Sequence, residues 1–81
     1  MKWFVYIARC DDDSLYTGIT TNPKRRESEH NNGTGAKSLR GKVPVRIVYL
    51  EEYRTQNEAR RREEAIKKWR RVNKLKLIAR S

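Results

Sequence analysis

Trp3-Phe4-Val5-Tyr6-Ile7-Ala8-Arg9 and Leu15-Tyr16-Thr17-Gly18-Ile19-Thr20 decide how this chain folds. Both runs are rich in aromatic and β-branched residues, and Asp11-Asp12-Asp13-Ser14 between them has turn chemistry, so the pair reads as a β-hairpin. Downstream, Asn22 offers an N-cap and Pro23 a first helical residue, and Lys24 through Asn31 continue a short polar helix until Gly33 and Gly35 stop it. Asn32 to Lys42 reads as a loop. Val43 to Tyr53 carries Val45, Ile47, Val48 and Leu50 and reads as a third strand, with Pro44 marking an edge or an entry point. Thr55-Gln56-Asn57-Glu58 matches a capping box, opening a helix to about Arg70 along which Ala59, Ala65, Ile66 and Trp69 recur at helical spacing. Val72, Leu75, Ile78 and Ala79 predict a shorter third helix that packs back on the sheet. The element order is β-β-α-β-α-α.

The chain has 81 residues, with 20 Lys and Arg against 10 Asp and Glu, a net charge of +10, and 36% hydrophobic residues. A domain of this size buries only ~60% of its unfolded surface, which argues against an enclosed cofactor cavity and puts any active site on an open face. A single domain over 1–81 is expected. No apolar run approaches the ~20 residues of a membrane span, and Met1 to Val5 alternates like a strand instead of forming a signal-peptide core. A cytoplasmic protein is expected. Cys10 is the only cysteine and His30 the only histidine, so an internal disulfide and a Cys/His zinc cluster are both excluded.

The positive charge is uneven. From Arg60 to Ser81 ten Lys and Arg stand against two acids, Glu63 and Glu64. Such a stretch is either a solvated helix face or a phosphate-contacting surface, and nucleic acid is the commonest polyanionic partner. Lys37, Arg40, Arg61, Lys67, Lys68, Arg70 and Arg71 are the expected contacts. A membrane-surface or partner-binding helix built on Ile66 and Trp69 competes, but its apolar stripe is thin.

Several side chains carry chemistry. The hairpin sets Tyr6 and Tyr16 on adjacent strands, opposite or diagonal to each other, and Gly18 marks a bulge or a close approach. Arg26 and His30, four apart, share a helix face, which brings a guanidinium beside an imidazole. Glu63 is either the i+4 ion-pair partner of Lys67 or a carboxylate that holds a divalent cation against a bound phosphate. Gly33 to Ser38 misses the phosphate-loop pattern and reads as a flexible loop.

Phe4-Val5-Tyr6, Tyr16-Thr17-Gly18, Thr20, Asn22-Pro23, Arg26, His30-Asn31 and Arg61-Arg62-Glu63, in that order, resemble the GIY-YIG nuclease superfamily over nearly the whole chain. The Tyr-Thr-Gly-Ile-Thr-Thr-Asn run, the Gly-Ala-Lys loop and Glu-Glu-Ala-Ile-Lys-Lys-Trp resemble its small stand-alone YhbQ-like members. The same order is similar to the nuclease domain of eukaryotic endonucleases that cut branched DNA. This resemblance implies an α+β fold with a small three-stranded antiparallel sheet flanked by helices, and a site between the first two helices. It implies that Glu63 binds one divalent metal, Mg2+ or Mn2+, that Arg26 contacts the scissile phosphate, and that Tyr6 and Tyr16 orient the water. One tyrosine or His30 is then the base. Phe4 and Thr17 replace a glycine and an isoleucine of the family pattern, and neither change removes a chemical group.

The resulting expectation is a metal-dependent DNA endonuclease, monomeric in its catalytic unit, with a protein partner supplying specificity. A non-catalytic module binding DNA or RNA through the same fold is the rival.

Overall fold

Strand alternation divides the hairpin between two environments. In the computed structural model, which describes residues 1–80, β1 (Trp3–Arg9) is the central strand. It pairs antiparallel with β2 (Leu15–Thr20) on one side and with β3 (Arg46–Tyr53) on the other, giving the order β2-β1-β3. Val5 and Ile7 point to one face and pack with Ala59 and Ile66 in a core where all four are fully buried. Tyr6 points to the opposite face. The period of two along a strand makes this division automatic.

The core face is covered by α2 (Gln56–Lys67) and α3 (Arg71–Arg80), the other by α1 (Pro23–Asn31). Helices α1 and α2 begin where the sequence says they should. The Asn22 side chain accepts from Arg25 N with Pro23 as first helical residue, and Thr55 and Glu58 form a reciprocal capping box at the start of α2. A cap of this kind is worth ~1 kcal/mol.

Three boundaries differ from the sequence reading. The third strand begins at Arg46 instead of Val43, because the Val45 backbone is taken by Asn31. Asn31 accepts from Val45 N at 2.7 Å and donates to Val45 O at 3.0 Å, and Glu27 one turn earlier accepts from Ile47 N at 2.7 Å. Helix α2 ends at Lys67 and α3 starts at Arg71, with a tight turn through Trp69 between them. On α3, Leu77 and Ile78 meet the core whereas Val72 is 53% exposed. Leu50, expected inside, is also exposed, since it borders an open hollow beside the first turns of α1 without being covered by them.

The loop from Asn32 to Lys42 contains a 3₁₀ turn at Lys37–Leu39, and Leu39 joins Cys10 and Val45 in a second small core. No described helix is long and apolar enough to cross a membrane.

Candidate active site

Glycine 18 is the pivot of the site. Tyr6 on β1 faces Gly18 on β2, and Tyr16 pairs with Ala8, so the two tyrosines are diagonal neighbours with ring centroids 6.2 Å apart. A Cβ at position 18 would lie 2.6 Å from the Tyr6 hydroxyl oxygen. The missing side chain therefore lets the phenol lie across β2, which is an edge strand. This is the close approach that the in-strand glycine signals.

His30 meets the same hydroxyl from α1. Its Nε2 lies 2.8 Å from Tyr6 Oη, and its ring packs 5.5 Å from the centroid of Tyr16 in an edge-on arrangement. The other ring nitrogen, Nδ1, accepts from the backbone N–H of Ala36 at 3.2 Å. A backbone amide can only donate, so in the neutral imidazole the proton sits on Nε2 and is donated to Tyr6. Burial and the Arg26 charge lower the His30 pKa, partly opposed by Glu29, which keeps the ring neutral at neutral pH.

The sequence reading took the Gly33 to Ser38 segment as a flexible loop. Instead the loop closes over His30: a Cβ on Gly35 would fall 2.3 Å from Nδ1 and 2.9 Å from the His30 backbone. His30 is 1% exposed. The signal was present in the Gly-Thr-Gly-Ala spacing just beyond the helix.

Arg26 lies one turn before His30 and faces the Tyr6 hydroxyl, while its Nη1 donates to Glu29 at 3.2 Å. Burial pushes the Tyr6 pKa up to about 12; hydrogen bonding from Arg26 works against it, and the Tyr16 and Glu63 charges add to the rise. Glu63 thus belongs to the electrostatic neighbourhood of Tyr6 although it is carried by α2. It stands on the stripe of α2 that includes Ala59 and Ile66, its side chain is 15% exposed, and it pairs with Lys67 at 3.2 Å. Both roles foreseen for Glu63 are compatible, since an ion pair with a lysine leaves carboxylate lone pairs free. Its neighbours are otherwise engaged. Glu58 is spent on the capping box, and Glu64 is exposed.

Arg62, next to Glu63, is turned away. It makes a bidentate pair with Glu51 on β3, Nε to Oε1 at 2.9 Å and Nη2 to Oε2 at 3.0 Å, and its guanidinium lies 5.1 Å from the centre of the Trp69 ring. Glu51 also accepts from the hydroxyls of Tyr49 and Tyr53. This cluster was not foreseen, although the Tyr49-Glu51-Tyr53 alternation places all three on one strand face.

Magnesium commonly takes one or two carboxylates and leaves the rest of its shell to water and substrate phosphate. Among the described residues no group of three or more His, Cys, Asp or Glu gathers into a cage. The single hard donor Glu63, within electrostatic reach of the Tyr6 hydroxyl, fits an ion of that type. Lys37, Arg40, Arg61, Lys67, Lys68, Arg70 and Arg71 are all exposed.

Two phenols, a neutral imidazole, a guanidinium and a carboxylate, carried by β1, β2, α1 and α2, make up the candidate site. Residues 2–76 match the family model of the GIY-YIG catalytic domain, and the chain belongs to this family of nucleases. Within it the chain is similar to small UPF0213 proteins. One from Clostridium perfringens is 51% identical over 76 residues, covering 94% of this chain and 82% of that protein. One from the archaeon Natronomonas pharaonis is 45% identical over 94% of this chain and 89% of that protein. The solution NMR structure of a UPF0213 protein from Bacillus halodurans superposes with a TM-score of 0.62 at 40% identity, covering 98% of this chain and 84% of that one.

Proposed function

We propose that the protein is a divalent-metal-dependent endonuclease that hydrolyses phosphodiester bonds in DNA. The observation that carries this reading is the meeting of Tyr6, His30 and Arg26 at one hydroxyl, with Glu63 in its electrostatic reach. Phosphodiester hydrolysis needs cationic groups where charge develops on the phosphate and a base within reach of the attacking water.

Each side chain has a task. Arg26 sits where its guanidinium can hold a phosphate oxygen, and a planar fork suits that better than an ammonium. Tyr6 is the better base. Both nitrogens of His30 are occupied, one by Ala36 and one by Tyr6, so the imidazole orients the phenol and steadies its anion instead of reaching water itself. Tyr16 has its ring against both partners and lines the approach. In the phenolate form of Tyr6 the water proton passes to the Tyr6 oxygen as the bond to phosphorus forms, and the bond to the leaving alkoxide breaks on the opposite side. Glu63 would hold the divalent ion, which when bound neutralises phosphate charge. The exposed cations of α2 and of the turn after it supply sequence-independent grip on the backbone.

Labelled single-stranded, duplex and branched DNA, incubated with and without magnesium or manganese, tests the reading. Cleavage by the unaltered protein that disappears in both Glu63→Gln and Arg26→Ala is expected. Cleavage that survives both substitutions, or tight binding with no cleavage under any metal, overturns it; the latter outcome leaves a nucleic-acid-binding module.

A further inference from the structure

Between Trp69 and α3 lies a groove of about 320 Å³ lined by Trp69, Asn73, Lys76, Leu77 and Arg80. It is separate from the tyrosine cluster, since it sits on the face of the sheet opposite α1. We propose that this groove is a stacking site for one unpaired nucleobase of a DNA strand, a second nucleic-acid contact beyond the catalytic cleft. The inference rests on the nucleic-acid reading above.

Three observations support the assignment. The first is the floor: the Trp69 indole is half-buried, braced by the core behind it and by the Arg62 guanidinium at 5.1 Å, and Arg62 is itself clamped by Glu51. The ring is therefore held in place before any ligand arrives, and a preset aromatic surface loses little freedom on binding. The second is the rim. Lys76 and Arg80 are exposed and no acid lines the groove, so a flat apolar group attached to phosphates finds complementary charge on both counts. Asn73 adds an amide that can meet a base edge with either a donor or an acceptor. The third is size. A stable protein partner covers ~800 Å² on each side, mostly as one continuous patch, whereas this is a slot between one indole and one helix turn. It suits a single planar group.

The alternation of apolar floor and cationic rim distinguishes this site from the rest of the basic surface. Arg60, Arg61, Lys67 and Arg71 instead stand on open helix faces, where backbone phosphates are met. Stacking is sequence-tolerant because every base has a π-face. The proposal thus predicts a preference for unpaired strands without a preference for any base.

The test uses the full chain carrying Trp3→Phe, so that Trp69 is the only indole, in EDTA to prevent cutting. A ten-residue oligothymidylate, an abasic oligomer of equal length and a blunt duplex are titrated while indole fluorescence and anisotropy are followed. Quenching by the oligothymidylate alone is expected. Changing Trp69 to Leu should weaken that binding about tenfold, the usual loss for one stacked base, with abasic binding unaltered. Should the Trp69→Leu protein fail to fold, Lys76→Gln with Arg80→Gln on the exposed rim serves in its place and should weaken the oligothymidylate and quench it less. Equal affinity for the abasic oligomer, absence of quenching, or anionic vesicles that bind and alter the fluorescence while the oligomer does neither would overturn the assignment. Cleavage measured on the same samples after adding magnesium separates the two claims. Cutting without stacking overturns the groove alone, and stacking without cutting overturns the hydrolase alone.

Discussion

The chain contains four tyrosines, two on each side of the sheet, and the two pairs live in opposite chemical circumstances. On the α2 and α3 side, Tyr49 and Tyr53 both donate to Glu51, whose oxygens also take two hydrogen bonds from Arg62. Donors and acceptors there are matched. On the α1 side, Tyr6 accepts from His30 and faces Arg26, with Tyr16 as its ring neighbour. Burial lifts the Tyr6, Tyr49 and Tyr53 pKa values to about 12, with the Glu51 carboxylate adding to the rise in the latter two. The shifts are alike, so the shift alone does not mark a reactive group. What separates the pairs is the partner at the hydroxyl: Glu51 takes the protons of Tyr49 and Tyr53, whereas the Tyr6 oxygen meets the donors His30 and Arg26.

That contrast is broken most directly by removing one hydroxyl from each side. Tyr6→Phe should lower cleavage by about 10²- to 10⁴-fold, the range of general-base catalysis, whereas Tyr49→Phe should leave it within about twofold. Below its pKa the deprotonated fraction of Tyr6 grows about tenfold per pH unit. The logarithm of kcat/KM should therefore climb with unit slope between pH 6 and 9 in the unaltered protein and flatten in Tyr6→Phe. A plateau just above the pKa of a histidine would instead make His30 the base.

Gly18→Ala sharpens the same point without deleting any functional group. The new methyl would stand 2.6 Å from Tyr6 Oη, and the phenol must swing off His30. A displacement near 1 Å of a catalytic group costs about 10²-fold in rate, so cleavage should fall by that order while DNA binding through the exposed cations is retained. Equal cleavage by the alanine variant would show that the phenol does not need its place over β2.

The smallest effect belongs to the saturated side. Burial pushes the Glu51 carboxyl up, but hydrogen bonds from Arg62, Tyr49 and Tyr53 outweigh it and hold its pKa below the ordinary 4.5. A depressed carboxyl stabilises the fold above its unfolded pKa, and this contribution is lost as the pH falls through the folded value. Glu51→Gln should lower stability by about 1 to 3 kcal/mol at neutral pH and remove part of the decline that the unaltered protein shows below about pH 4.5. Denaturant midpoints at pH 7 and pH 3 measure both, and an unchanged pH 3 to pH 7 difference would place the acid sensitivity elsewhere.

The elements that could be read from sequence are those specified by neighbours a few residues apart. Asn22-Pro23, the Thr55 to Glu58 box and the hairpin alternation each settle a local conformation by contacts within four residues, and each forms. The turn length left Tyr6 and Tyr16 opposite or diagonal, and the pairing of Tyr6 with Gly18 makes them diagonal. The burial of His30 did not, because it depends on the Gly35 loop returning over a helix whose other residues are polar. A helix face read in isolation shows no apolar stripe there, so the imidazole resembled a surface side chain. The pairing of Arg62 with Glu51 joins residues eleven apart on different elements, and adjacency in sequence had placed Arg62 beside Glu63 instead. The third strand started late for the same reason: Asn31, fourteen residues away, claims the backbone that Val45 would have offered to a neighbouring strand.

The claim that Asn31 and Glu27 make on Val45 and Ile47 reaches beyond the start of β3. Unsatisfied amides along the border of a sheet are templates on which foreign chains polymerise. Here α1 masks them with two side chains and, on the same nine-residue helix, carries Arg26 and His30. Colloidal behaviour and catalytic competence are thereby inherited as one unit. A lesion that unwinds this helix should yield precipitating protein as well as inert protein, so that inactive variants in this segment can be recognised by their turbidity before any substrate is added.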